Sequence, residues 1–387
     1  MRIAFVGPDD LSILLFCKRL IKTLKQQNGH TIYTISPITY YQQEIDALEV
    51  CHLPISMARF INPMEDLKFM WALYNVFKGR RIEAVINFAT KPIIYGGISA
   101  RLARVRKIIG AVRGLGTVFL PAIDFKSLAL RRLVEGMYLV ASRSSHRMWF
   151  TNREDLTYFL DQGLVSADKV FMTTNSTNLE DFSPEALYPE KLTSLRAELG
   201  LSPENLVVIM VARMIWSKGV KEYVNAAQIL RECFPQVKFL LVGPVEEGSL
   251  NCVPSTYLQE SEQRANLKWL GFRKDVRELY AVSDLAVLPS YYKEGGFPRA
   301  LLEPMAMGKP VITTDTDGCR GPVESDKNGF LVPPRDPRAL AAAMADLLEN
   351  EDLRNRFGAY SRQKMEREFD DQVVIQKILL ELAGGAG

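Results

Sequence analysis

Hydrophobic positions along the chain switch repeatedly between two periods. Short runs of apolar, β-branched residues that suit buried strands alternate with longer stretches whose apolar residues recur every three to four positions, as on a helix. In order, the pattern predicts strand Ile3 to Gly7, a helix over Leu11 to Gln27 and strand Thr31 to Ile35. A helix from Pro63 to Lys78 follows, with proline in its first turn, then strand Ala84 to Phe88, a helix over Gly96 to Arg104 and strand Lys107 to Val112. Beyond the loop GLGTVFLP come a long helix near Phe125 to Ser144 and strand Arg147 to Phe150. The helix at Pro63 carries Phe69, Trp71, Leu73, Tyr74 and Phe77 across its faces, an aromatic stripe expected to belong to the core. Such alternation implies a parallel, doubly wound sheet.

Between Thr173 and Gly200 the periodicity lapses into Asn, Ser, Thr and Pro, as in a linker. Alternation then resumes with strand Leu206 to Val211, the segment ARMIWSKG, a helix over Val220 to Cys233, strands Lys238 to Val242 and Lys268 to Leu270, and a helix over Lys274 to Ala281. The stretch around Val287 to Val311 organises this half. Apolar residues Leu285 to Leu288 end at Pro289; a glycine-rich turn leads into a helix that carries Glu303 and stops at Gly308, and the next strand opens at Val311. A glycine loop between a strand and a helix offers unpaired N–H groups and the helix dipole to an anion, with phosphate the usual guest. Glu294 and Glu303 frame this loop, and carboxylates suit hydroxyls rather than phosphate. Together these features point to a nucleotide-sugar. Pro337 to Leu382 is mostly helical by period.

Composition adds limits. The 387 residues, 47% hydrophobic and 24% charged, exceed what one core usually holds, so two domains are expected. Five cysteines at 17, 51, 233, 252 and 319 show no paired spacing, which argues against a disulfide framework or a zinc site. The first strand is cut short by Asp9-Asp10, unlike a signal peptide, and no run has the length of a spanning helix, so a cytoplasmic protein is expected. Charge is uneven: residues 1–150 hold 21 Lys and Arg against 10 Asp and Glu, whereas the remainder holds 27 against 35. Basic residues gather at Lys18, Arg19, Lys22 and Lys25, at Arg101, Arg104, Arg106 and Lys107, and at Arg131, Arg132, Arg143 and Arg147, interleaved with Leu15, Phe16, Leu130, Tyr138 and Trp149. Basic and apolar residues together suit peripheral contact with an anionic membrane, the alternative being plain solvated helix faces. No nucleic-acid motif is present.

The segments VARMIWSKGVKEYVNAA, LLVGP, WLGFRKDVRELYAVSDLAVLPSYYKEG, FPRALLEPMAMGKPVITTD and NGFLVPPRDPRALAAAM, with INFATKPIIYGGISARLARV, VRGLG and FTNREDLTYFLDQGLV before them, resemble the retaining GT-B glycosyltransferases of family 4. Within that group the chain is similar to bacterial transferases that build O-antigen, capsule or N-glycan precursors on polyprenyl diphosphate. The resemblance implies an α/β chain of two Rossmann-like, doubly wound parallel-sheet domains facing across a cleft: 1–180 for the acceptor, 200–365 for the nucleotide-sugar, and 366–387 as a helix crossing back to the first. It implies that Arg213 and Lys218 hold the donor diphosphate, that Glu303 takes the ribose hydroxyls and that Glu294 contacts the donor sugar, within a donor loop of Gly295, Gly296, Phe297 and Pro298. Arg213, Lys218 and Glu294 are thus the expected catalytic set, and two fixed cations stabilise the charge that builds on a departing phosphate. Lys91, Arg113 and the loop beginning at Gly7 are candidate acceptor-side groups.

The chain departs from the pattern twice. Glu294 and Glu303 lie nine apart, one more than usual, because Gly295-Gly296 stands where one glycine is the rule. Arg113 occupies a position where many relatives carry a histidine, and His30, His52 and His146 lie elsewhere, so no general base is assigned. Asp315 and Asp317 imitate a metal-binding DxD but fall at a donor-loop position of the family; no metal is expected, and no cofactor apart from the UDP-sugar donor itself. GPDDLS lacks the glycine fingerprint of a dehydrogenase. The expected activity is retaining transfer of a hexose or N-acetylhexosamine to a lipid-linked (polyprenyl diphosphate) saccharide, on the cytoplasmic face of the inner membrane. A catalytically idle nucleotide-sugar-binding subunit and a GT-B nucleotide-sugar epimerase are the alternatives.

Overall fold

A computed structural model describes all residues except 28, 40, 59–61, 115–116, 120–124, 246–250, 293, 295 and 385–387. The chain forms two compact units, Met1–Thr174 with Gln372–Gly387, and Asn175–Asp371.

The first unit is built on seven parallel strands: β1 (Arg2–Val6), β2 (Thr31–Ser36), β3 (Cys51–Pro54), β4 (Ala84–Phe88), β5 (Lys107–Val112), β6 (Arg147–Phe150) and β7 (Val170–Met172). Their order across the sheet is β3-β2-β1-β4-β5-β6-β7. Helices α1 (Asp10–Gln26), α2 (Gln42–Asp46), α3 (Pro63–Gly79), α4 (Gly97–Leu102), α5 (Phe125–Ser144) and α6 (Arg153–Asp161) accompany them. Helix α1 starts where Asp9 accepts from the Ser12 N–H at 2.6 Å, and its buried stripe of Ile13, Cys17, Leu20, Ile21 and Leu24 follows the helical period. Each such large aliphatic side chain, once buried, stabilises the unit by roughly 1.5–3 kcal/mol.

The second unit holds six parallel strands, β8 (Val207–Val211), β9 (Lys238–Val242), β10 (Leu267–Trp269), β11 (Leu285–Leu288), β12 (Val311–Thr314) and β13 (Gly329–Val332), in the order β10-β9-β8-β11-β12-β13. Its helices are α7 (Pro189–Leu199), α8 (Val220–Leu230), α9 (Ser255–Arg264), α10 (Val276–Ala281), α11 (Arg299–Ala306), α12 (Asp317–Arg320), α13 (Pro337–Glu349) and α14 (Glu351–Lys364). The last helix, α15 (Asp371–Ala383), belongs to the first unit: Val374, Ile375, Ile378 and Leu382 sink into the core with Ile3, Phe5, Leu20 and Trp149, and Glu381 clamps Arg147 at 2.6 and 2.7 Å.

Several sequence expectations change. The aromatic stripe of α3 divides: Phe69, Leu73 and Phe77 are buried, but Trp71 is 64% exposed, so it is not core. The helix expected at Gly96 begins earlier, as a π-turn over Pro92–Gly96 that continues into α4. The stretch read as linker contains α7, whose weak pattern buries only Leu195 and Leu199 before Gly200 ends it in a left-handed conformation. Strands β3 and β7 lie at the two sheet edges, where short strands with partly exposed residues leave little apolar signal.

Candidate functional site

Each sheet reverses its direction of travel once. In the second unit β8 connects onward to β9 on one side, while β11, its other neighbour, connects onward to β12. Loops leaving the carboxyl ends of β8 and β11 therefore diverge, and the crevice between them is where open α/β sheets bind ligands. Arg213 and Lys218 lie in the first of these loops and Glu294 in the second.

The two loops are stitched together. Lys218 Nζ stands 2.5 and 2.7 Å from the two carboxylate oxygens of Glu294, with the side chains only 12% and 8% exposed. Fully buried Ser290 donates its hydroxyl to the same carboxylate at 2.8 Å, and its own carbonyl accepts from Thr314 Oγ1. The Tyr291 N–H donates to the Ser217 carbonyl at 2.9 Å. On the Tyr292 ring the two cations meet: the Arg213 guanidinium carbon is 5.7 Å and Lys218 Nζ 5.0 Å from its centroid. Tertiary structure thus assembles Arg213, Lys218 and Glu294, but the Glu294 carboxylate is engaged with the protein's own cation and hydroxyl. Helix α12 approaches it closely, since a Cβ on Gly318 would lie 2.4 Å from Glu294 Cβ.

Between β8 and α8, Gly219 adopts φ 84°, and a Cβ there would fall 2.1 Å from the Pro289 carbonyl oxygen. Only glycine lets these loops come so close. Of the donor loop, Gly295 lies outside the described residues; Gly296 is buried with φ 129°. The Phe297 ring packs edge-on against Phe369 at 5.6 Å while its carbonyl accepts from Asn175 at 2.8 Å, and Pro298 sets the start of α11.

Glu303 lies on α11, buried, 2.9 Å from Arg299 Nε one turn back. Burial pushes its carboxyl above the usual range and the Arg299 charge offsets part of that rise. The neighbouring Tyr280 hydroxyl is buried with no hydrogen-bond partner among the described residues. A carboxyl with a raised folded pKa binds more protons folded than unfolded, so its contribution lowers stability as pH rises above its ordinary value of 4.5. Glu303→Gln is therefore expected to gain melting temperature relative to wild type progressively between mildly acidic and neutral pH. A difference independent of pH in paired melting curves contradicts this assignment.

Asp315 and Asp317 both contact Arg320, the latter at 3.5 Å. Among the described residues no three His, Cys, Asp or Glu side chains converge as metal ligands do.

The first unit reverses between β1 and β4. Gly7, just after β1, donates its N–H to the Ile35 carbonyl at 2.9 Å. After β4, Ala89 sits at φ 70°, a strained left-handed position, and Lys91 Nζ pairs with buried Asp66 at 2.5 Å. Tyr95 donates to the second Asp66 oxygen at 3.1 Å. Gly7 and Lys91 thus flank the switch point, while Arg113 leaves the adjacent strand β5 and stacks on Phe16, 3.8 Å from its centroid. The histidines serve local structure: His30 faces the N-terminal amine at 3.4 Å, His52 meets Thr34 at 3.0 Å, and His146 accepts from the Ile108 N–H at 3.1 Å.

Sequence reasoning missed Ser290, Tyr292, Gly318 and Asp66. Only Asp66 left a clear signal: it occupies the helical position that continues the buried series Phe69, Leu73 and Phe77, an acid on a core face.

Residues 193–364 match the family described as glycosyl transferases group 1. Over its whole length the chain is similar to the N,N'-diacetylbacillosaminyl-diphospho-undecaprenol alpha-1,3-N-acetylgalactosaminyltransferase of Campylobacter jejuni, with 28% identity over 98% of this chain and 97% of that protein. It is also similar to the UDP-Gal:alpha-D-GlcNAc-diphosphoundecaprenol alpha-1,3-galactosyltransferase of Escherichia coli, with 25% identity over 82% and 79% of the two chains. Among solved structures, Anabaena HepE in complex with UDP-glucose superposes with a TM-score of 0.79 over 99% of both chains at 21% identity, a likeness of fold. The match to the glycosyl transferases group 1 family thus lies within the second unit, and in fold, two Rossmann-like parallel sheets, the chain is similar to solved GT-B glycosyltransferases.

Proposed function

We propose that the chain is a retaining glycosyltransferase that moves a hexose or N-acetylhexosamine from a UDP-linked donor to a saccharide carried on polyprenyl diphosphate, in surface polysaccharide or glycan assembly. The observation that carries this reading is the pair of cations, Arg213 and Lys218, gathered on Tyr292 at the switch point of the second sheet. Both of the relatives above are named for alpha-linked transfer to undecaprenyl-diphosphate-linked saccharides, which supports the acceptor class and, through the alpha linkage, retention.

In this scheme the bond between the sugar's anomeric carbon and the diphosphate breaks while one to the acceptor hydroxyl forms on the same face. Arg213 and Lys218 stabilise the negative charge left on the diphosphate, and Glu294 orients Lys218 so that no reorganisation is needed as the charge develops. The acceptor proton leaves on the departing phosphate oxygen. Glu303, held by Arg299, accepts from the ribose hydroxyls. Gly296, Phe297 and Pro298 shape the donor loop, and Lys91, Arg113 and the Gly7 loop, at or beside the first sheet's switch point, serve the anionic acceptor. No metal and no further cofactor enters the scheme. The enzyme works on the cytoplasmic face, in peripheral contact with the membrane that holds its acceptor; among the described residues no helix is long and apolar enough to cross one.

Thermal unfolding with UDP, GDP, ADP, NAD and their sugar adducts, with and without Mg²⁺, tests the donor class. A ligand at about 100 times its dissociation constant adds roughly 2.7 kcal/mol. The expected result is a shift with UDP species alone, independent of Mg²⁺. No shift with any nucleotide overturns the donor assignment in favour of an idle subunit, and interconversion of a free UDP-sugar without an acceptor marks an epimerase.

A further inference from the structure

Helix α3 is apolar on both sides. Its inner face buries Phe69, Leu73 and Phe77. Its outer face presents Met64, Leu67 and Trp71 at 72, 60 and 64% exposure, spaced by three and four residues so that they form one stripe. The Trp71 indole stacks on the Tyr74 ring at 5.3 Å, and Lys78, at the helix end, reaches the Tyr74 hydroxyl at 3.1 Å. Lys68 borders the stripe and pairs with Glu65 at 2.8 Å. Short helix α4 packs alongside, with Ser99 Oγ donating to the Met70 carbonyl at 2.8 Å, and ends at Leu102, 62% exposed, between exposed Arg101 and Arg104. Residues 63–106 hold eight Lys and Arg against three Asp and Glu, and of those three Asp66 is buried against Lys91 while Glu65 and Glu83 are paired with Lys68 and Arg2.

Water is a poor solvent for such a stripe. Large apolar side chains with a Trp–Tyr pair, rimmed by cations, match the boundary between headgroups and acyl chains, where apolar groups are buried and anionic headgroups attract the basic rim. We infer that the outer face of α3 docks on an anionic membrane surface, with Met64, Leu67 and Trp71 entering the headgroup boundary and the basic residues near Leu102 and the end of α3 meeting lipid phosphates. This deepens the proposed lipid-linked function by naming the element that seats the first unit. It rests on that function only for its purpose, since the docking itself needs no substrate.

The test uses the full chain and sedimented vesicles of phosphatidylcholine alone or with roughly one third phosphatidylglycerol. Wild type is expected to partition onto the anionic vesicles, less onto neutral ones, and less as NaCl rises from about 0.15 M to about 0.5 M. The triple variant Met64→Ser/Leu67→Ser/Trp71→Ser is expected to lose about tenfold or more in partitioning while keeping its melting temperature and any UDP-induced shift. Brominated lipid should quench part of the wild-type tryptophan emission, and that part should vanish in Trp71→Phe, which still binds. Wild-type partitioning by the triple variant, or unchanged quenching in Trp71→Phe, overturns the inference. So does a wild-type dimer that ignores vesicles and dissociates in the triple variant, because the face is then an interface between copies. Failure of the transferase proposal appears elsewhere, as the absence of any nucleotide-induced shift with vesicle binding intact.

Discussion

Lys218→Ala and Arg213→Ala are each expected to lower turnover by about 10²- to 10³-fold, the loss usual when a fixed donor to a developing anion is removed. The two variants should separate in stability. Arg213 is exposed and its removal costs little, whereas Lys218 is inserted against Glu294, and truncating it strands a carboxylate that is only 8% exposed. Breaking a buried pair from one side costs about 3 kcal/mol. Adding Glu294→Ala to Lys218→Ala should therefore restore part of the lost stability without restoring turnover. Chemical denaturation and single-turnover assays on the two single variants and the double variant measure both effects. Wild-type turnover in either single variant removes the diphosphate assignment; equal stability losses for Arg213→Ala and Lys218→Ala remove the argument for a buried pair.

Gly219→Ala is expected to be the most damaging single-methyl change at the site. The residue combines a left-handed backbone with a carbonyl oxygen 2.1 Å from where the new carbon would sit, and that oxygen belongs to Pro289 at the root of the facing loop. The loops after β8 and β11 must separate to admit the methyl, at a cost of about 3 kcal/mol or more. Donor binding should fall with it, because separation pulls Lys218 from Glu294. Gly200→Ala is the control: it too has a left-handed backbone, φ 70°, but among the described residues nothing lies within 4 Å of the added carbon. Its cost should be limited to the backbone term, about 1 kcal/mol, with nucleotide-induced shifts unchanged. Similar losses in both variants would mean that backbone conformation, rather than the close approach of the loops, is what Gly219 supplies.

Much of this site was legible from local chemistry. Arg213 and Lys218 follow a strand and precede a glycine, and Glu294 and Glu303 frame a loop between a strand and a helix, so position along the chain already placed them at strand ends. Partners were not legible. Lys218 and Glu294 are 76 residues apart, and their pairing depends on β8 and β11 being neighbours, which the order β10-β9-β8-β11-β12-β13 decides and chain order does not. Ser290, in the same loop, pins Glu294, and Gly318, after β12, makes room behind it because β12 is the other neighbour of β11.

Fold class follows from period, since buried parallel strands and amphipathic helices write themselves as apolar runs and helical repeats. Among the elements that escaped, β3, β7 and α7 each bury too few side chains to leave such a mark. Helix α3 marks the limit most clearly. Its sequence determines that it is a helix, capped by Asn62 and opened by Pro63, but with apolar residues on both faces periodicity does not choose which side faces the sheet. Tertiary packing made that choice: Phe69, Leu73 and Phe77 went inward with Asp66 among them to hold Lys91, and Trp71 was left outside, because one helix offers only one face to one sheet.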